Sequence, residues 1–312
     1  MTPTLEIYCQ KNKHNIEARV SKGLGIVSQI MDILKCVRFG AHYFEIALTL
    51  RESIMINGML TNCEVWYGLT DNEVGQLEEV DRLLLRRILN VAASCPVETL
   101  YLELGCVPLR IVIKSRRINY LHHLTTRNSS EMIFKFFMAQ WNFPANKDEW
   151  TEQVRKDLEE LKMEEDLEWI GSRSKPTFKK MVKIQARELA FDWLMKKKES
   201  HTKMTNLSYP TLEMQEYLKD NKITVSQAKI LFRVRTRMEQ FGENFKGGRD
   251  TKPCPVCEAS KDTQSHSFQC SVIQDNIEVN GNYLEIFNFK VGKKLATTVE
   301  NIVKFRENYK EN

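Results

Sequence analysis

Thr70-Asp-Asn-Glu-Val-Gly-Gln-Leu-Glu-Glu-Val-Asp-Arg-Leu-Leu-Leu-Arg-Arg-Ile-Leu-Asn90 decides the fold class. Thr70 and Glu73 have the spacing of a capping box, a hydroxyl at the cap and a carboxylate three residues on. Val74, Leu77, Val80, Leu84 and Ile88 then recur at helical spacing and form one apolar stripe, with Arg82, Arg86 and Arg87 off it. The stretch predicts a helix ending near Asn90. The pattern continues in both directions. Pro96 sits near the start of a second, short helix, where its missing N–H costs little, and Gly105 is placed to end it. Pro108 opens a third, with Ile111, Ile118, Leu121 and Leu124 toward the core and Arg110, Lys114, Arg116 and Arg117 as a basic flank. Upstream, 26–34 and 43–60 are apolar enough for buried helices, with Gly40 as a break. Downstream, 141–146 reads as a connection. Amphipathic helices, first acidic and then basic, follow over 148–198. Ser208-Tyr209-Pro210 interrupts the pattern, 227–237 and 293–306 predict two more helices, and 242–253 is the best linker. Alternating apolar-polar runs are few, so the fold expected is mainly α.

The chain has 312 residues, enough for two domains. With 42% hydrophobic and 28% charged residues it suits a folded core rather than a disordered chain. No window reaches the run of roughly 18 uncharged apolar residues of a membrane span. The segment 1–13 has no apolar signal core. These features lead to an expectation of an intracellular, nuclear or cytoplasmic, non-secreted protein without membrane partners. Cys63, Cys95 and Cys106 sit in apolar company and read as small buried hydrophobes. The net charge is +5, but its distribution says more. Acids dominate 148–168, whereas lysine and arginine dominate 173–203, and a second basic stretch runs over 229–252.

The chemistry concentrates near the end of the chain. Cys254-Pro-Val-Cys257 is followed by His266 and Cys270. Two cysteines two residues apart fit a tight turn, and His266 and Cys270, four apart, fit one helical turn. Three sulfurs and one imidazole complete a tetrahedral shell with no open position, the pattern of one structural Zn2+. The segment from Gly247 to Ser271 has little core beyond Val256 and Phe268, so a metal would supply its folding free energy. The alternatives are unligated loop residues, or a redox dithiol at Cys254 and Cys257, which would leave His266 and Cys270 unexplained.

Other constellations are weaker. His122 and His123 are adjacent on a helix and point apart. The acids of 148–168 read as a solvated face. No Walker loop, dinucleotide fingerprint or Gly-x-Ser-x-Gly elbow is present. The basic helices, with Phe178, Phe191, Trp193, Phe232, Phe241 and Phe245 nearby, suit phosphate contact plus base stacking. They equally suit core aromatics beneath a solvated lysine face.

The order of several short runs resembles the reverse transcriptase polyprotein of non-long-terminal-repeat retrotransposons. These are Gly23-Leu-Gly-Ile-Val27, Phe39-Gly40, Leu50-Arg-Glu-Ser53, Thr61-Asn-Cys-Glu-Val-Trp-Tyr67, Leu77-Glu78 to Asp81, Leu84 to Leu89, Leu100-Tyr-Leu-Glu-Leu-Gly105, Pro108-Leu-Arg110, Arg116-Arg117 and the Cys254–Cys270 cluster. The resemblance covers about 22–306 and corresponds to the family's region after the polymerase palm. It implies a thumb-like helical domain over 1–140, an acidic then basic helical region over 147–241, a linker and CCHC-type zinc knuckle over 242–275, and a helical tail over 276–312. It further implies a partner of RNA or DNA, as template-primer or target duplex, with Arg82, Arg86, Arg87, Arg116 and Arg117 near phosphates. Lys179, Lys180, Lys183, Arg233, Arg235 and Arg237 join them from the basic stretches. The family's polymerase holds two metal ions on an Asp-Asp pair, and this sequence contains no Asp-Asp anywhere. Nor does the family's nuclease motif, a Pro-Asp and a later acid, occur after Cys270. Met1 falls midway through the family's reading frame. The expectation is therefore a chain that is not an enzyme by itself, with a reverse transcriptase palm, if any, acting in trans. A zinc-stapled helical scaffold for protein interaction is the alternative.

Overall fold

The computed structural model describes residues 3–37, 40–143, 149–201, 204–244, 253–288 and 290–311. Among them the chain is helical and no strand forms; two isolated bridges, Leu104 with Met214 and Pro253 with Lys261, are its only β-type pairings. The helices run α1 (Pro3–Lys35), α2 (Gly40–Leu50), α3 (Asn57–Met59), α4 (Asp71–Leu89), α5 (Val97–Leu104), α6 (Leu109–Thr125), α7 (Met132–Asn142), α8 (Trp150–Glu160), α9 (Leu167–Ser172), α10 (Lys175–Lys198), α11 (Glu216–Lys219), α12 (Val225–Arg235), α13 (Gln264–Gln269), α14 (Ser271–Asn276) and α15 (Lys293–Glu311). A π-helical turn, Arg51–Ile56, joins α2 to α3.

The expected capping box is present. Thr70 N–H and its hydroxyl reach Glu73 Oε2, and Glu73 N–H returns to Thr70 Oγ1. Gly105 ends α5 in the left-handed region at φ +66°, and a Cβ there would run into the backbone of Glu213 and Met214. Pro108 precedes α6, whose Ile111, Ile118, Leu121 and Leu124 are all buried. The expected break near Gly40 is present, since α1 ends at Lys35 and α2 begins at Gly40. Two boundaries differ from expectation. Trp141, expected in a connection, is the buried end of α7; the 144–146 part of that connection lies outside the described residues. Gly242–Asn244, expected in a linker, is a buried 3-10 turn, and 245–252 lies outside the described residues.

The chain forms two compact units built from alternating segments, not in the serial order the sequence suggested. The first comprises the described residues of Met1–Gln29, Leu50–Leu83 and Val107–Leu194; the second, those of Ile30–Thr49, Leu84–Cys106 and Met195–Asn312. In the first, α6 packs on α7, α8 and α9. Its basic flank turns inward. Arg110 forms a fork on the buried Glu78 at 2.8 and 2.9 Å, and Arg117 a fork on the buried Asp157 at 2.6 and 3.1 Å. Arg116 donates to Leu60 O, and Lys114 pairs with Glu160. The acidic run is thus no uniformly solvated face, because Asp157 is fully buried within it. Arg51, on the π turn, is buried against Asp81 through two hydrogen bonds of 2.6 and 2.7 Å.

In the second unit α12 packs along α15. Between α12 and α5 lies a buried polar knot. Glu103 accepts from Tyr209 and Tyr217, both at 2.8 Å, and from Arg235 Nε and Nη2 at 3.2 and 3.1 Å. Arg235 Nη1 donates to Ile286 O and Asn288 O. Charges so deep persist only where every lone pair and proton finds a partner.

A candidate metal centre

Cys254 lies just after the bridge between Pro253 and Lys261, and its N–H donates to Ser260 O at 2.7 Å. The chain reverses through Glu258, whose N–H returns to Cys254 O and whose φ is +55°. This turn brings Cys257 back beside Cys254. Thr263 caps α13 by accepting from His266 N–H at 3.0 Å, so His266 rides on the first turn of that helix. Cys270 does not continue it. It sits in extended conformation (φ −65°, ψ 117°) as the hinge between α13 and α14. The expected single helical turn is therefore replaced by a helix end, which still brings both side chains to one point.

The four ligand atoms lie within 4.8 Å of one another. His266 presents Nε2, 3.3 Å from Cys257 Sγ. Metal–sulfur bonds of about 2.3 Å in a tetrahedron place sulfurs about 3.8 Å apart, so the donor set fits a metal ion at its centre. Cys254 and Cys270 are buried, whereas Cys257 and His266 are half-buried.

The electrostatics prepare the donors differently. Burial raises the Cys257 thiol, but the Ala259 and Ser260 amides with the neighbouring Cys270 and Cys254 outweigh it, so its pKa falls below the ordinary value. Burial, only partly offset by the Ile273 amide, pushes Cys270 up to about 11. His266 is lowered by burial first and then by the Arg306 guanidinium, which keeps its lone pair available. A metal bound by these donors would displace thiol protons, and its binding would tighten as pH rises.

The surrounding residues tie the knuckle down. Asp262 Oδ2 accepts from Gly242 N–H at 2.8 Å, and Gln264 donates to Val234 O at 3.0 Å. Arg306 of α15 reaches Cys254 Sγ at 4.0 Å, Ser267 Oγ at 3.2 Å and Asp262 Oδ1 at 2.6 Å. Nothing in the sequence pattern singled out Arg306, because it lies 52 residues from Cys254 on an ordinary amphipathic helix.

The candidate nucleic-acid contacts divide sharply. Arg117 and Arg235 are corrected by their burial: each guanidinium is spent on a carboxylate inside the fold and has no face for a phosphate. Arg82 pairs with Glu79, Arg116 is held by Asn57 and Leu60, and Arg233 pairs with Glu239. Arg86 and Arg237 are half-buried, while Arg87, Lys179, Lys180 and Lys183 are exposed. The aromatics follow the same logic. Phe178, Phe232 and Phe241 are buried, with Phe178 stacked on His122 at 4.6 Å, so none is a base-stacking platform. Phe191 and Trp193 are half-buried, and Trp193 already lies under Arg110. Phe245, Lys246, Arg249 and Lys252 lie outside the described residues. No described helix is long and apolar enough to cross a membrane. No family model matches this chain, nor does any curated protein or solved structure.

Proposed function

We propose that this chain binds nucleic acid and holds one structural zinc ion at Cys254, Cys257, His266 and Cys270. In this reading it is a non-catalytic part of a non-long-terminal-repeat retrotransposon reverse transcriptase, spanning thumb to knuckle. The observation that carries the metal assignment is the convergence of three sulfurs and one imidazole within 4.8 Å, a donor set that suits zinc. Zinc bound there supplies folding free energy and leaves no position for a substrate. Phosphate contact falls to Lys179, Lys180 and Lys183, which α10 carries exposed and which have no acidic partner among the described residues, together with Arg87. Any polymerase chemistry then belongs to a palm supplied in trans.

The test is an anisotropy titration with a primer-template duplex across salt concentrations, on protein of measured zinc content. Binding should weaken with salt at a slope near −0.9 per phosphate contacted. Replacing Lys179, Lys180 and Lys183 together by glutamate should flatten the slope by about 3, since roughly one phosphate contact is lost per lysine. No binding at low salt, or binding indifferent to salt, would sink this reading. It would leave the zinc-stapled interaction scaffold, which the internal use of Arg117 and Arg235 favours.

A further inference from the structure

Three thiolates, one neutral imidazole and a divalent cation sum to one net negative charge. One of the three thiolates, Cys254, is inaccessible to water. A buried anion needs a donor or a cation beside it. Arg306 is that donor: its Nη1 lies 4.0 Å from Cys254 Sγ, within reach of an N–H···S contact, and the residue is 3% exposed.

Arg306 is also held from three sides. Asp262 accepts Nη2 at 2.6 Å, Ser267 accepts Nη1 at 3.2 Å, and the Phe241 ring lies 4.5 Å below the guanidinium. Asp262, just before α13, and Ser267, on it, both belong to the segment between Cys257 and Cys270 that a metal would order. Asp262 is itself fixed by Gly242 N–H. The same guanidinium therefore reads two things at once: the charge on Cys254 and the closed shape of the loop.

Resting on the zinc reading above, we propose that Arg306 stabilises the Cys254 thiolate by donating to it, and thereby couples docking of α15 to metal occupancy. An arginine placed only for packing would touch the loop but would not sense the thiolate. Partners of this kind, which hydrogen-bond a metal ligand, typically change metal affinity by about 10–100-fold when removed. By reciprocity, metal binding must hold α15 in place by the same factor.

The test uses the full chain in two measurements. First, metal affinity is read by competition with a chromophoric chelator for the wild type, Arg306→Met and Arg306→Lys, and each is also loaded with Co2+. Arg306→Met should bind one metal about 10–100-fold more weakly, with its thiolate-to-cobalt band at longer wavelength because Cys254 has lost a hydrogen bond. Arg306→Lys, which keeps the charge but not the fork, should fall between. Second, hydrogen exchange of the wild type, which needs no variant to fold, should show faster exchange along α15 after chelation. Affinity of Arg306→Met within about threefold of wild type, an unmoved cobalt band, or α15 protection indifferent to chelation would each overturn the coupling while leaving the zinc site intact. A wild type that takes up no zinc or cobalt would overturn both.

Discussion

Replacing Glu103 by glutamine tests the polar knot of the second unit. The substitution keeps the volume of the side chain and an acceptor oxygen, but it removes the charge opposite Arg235. Both residues are wholly inaccessible to water, so the guanidinium would keep only the carbonyls of Ile286 and Asn288 and an amide oxygen. Removing one partner of a buried ion pair costs about 3–5 kcal/mol, because the other charge stays buried and unpaired. Tyr209 and Tyr217 donate to different carboxylate oxygens, so one of them would face the amide N–H group and lose its acceptor, which places the cost toward the upper part of that range. With a urea m-value of about 3 kcal/mol/M, the midpoint should fall by about 1–1.7 M. The assay is urea unfolding followed by far-UV circular dichroism and by tyrosine fluorescence, at matched metal content. The double variant Glu103→Leu/Arg235→Met should recover much of the loss, since neither charge is then left alone. A midpoint shift under about 0.3 M, roughly 1 kcal/mol at that slope, or a double variant no better than Glu103→Gln, would refute the account.

Gly105→Ala should destabilise by at least about 1–2 kcal/mol, the left-handed penalty alone, with backbone overlap at Met214 adding to it. Gly25→Ala, in open space on α1, should instead be neutral or stabilising by about 0.5–1 kcal/mol; thermal melts of the pair separate conformation from composition. Burial and then Glu103 raise Tyr209 and Tyr217 well above their ordinary pKa. Their contribution is therefore fully present below about pH 10, the unfolded value, and is lost as pH rises through the folded one. Stability should fall on the alkaline side above about pH 10, and spectrophotometric titration should show two tyrosines that ionise only on unfolding.

How much of this was legible depended on the range of the interaction. The capping box at Thr70 and Glu73, the stripe of α4 and the glycine end of α5 are set within a few residues, and the sequence displays them. The candidate metal ligands were legible for a different reason: coordination chemistry restricts spacing. The knuckle's chelate turn follows from that spacing, but the break at Cys270 does not, since helical periodicity says nothing about where a helix stops without a cap. The buried charges were not legible. Arg117 lies 40 residues from Asp157 and Arg51 lies 30 from Asp81. A charged residue on an amphipathic helix looks solvated until its partner is placed. The same blindness turned Arg235 into a phosphate candidate and left Phe178, Phe232 and Phe241 open between base stacking and the core, where they lie.

The separation between Glu103 and Arg235 is 132 residues, and it sets a clock on synthesis. A ribosome adding about 5–20 residues per second leaves Glu103 waiting roughly 7 to 26 seconds before Arg235 has even been made. Until then Glu103 lacks its buried cation, so the knot cannot close before α12 has been made.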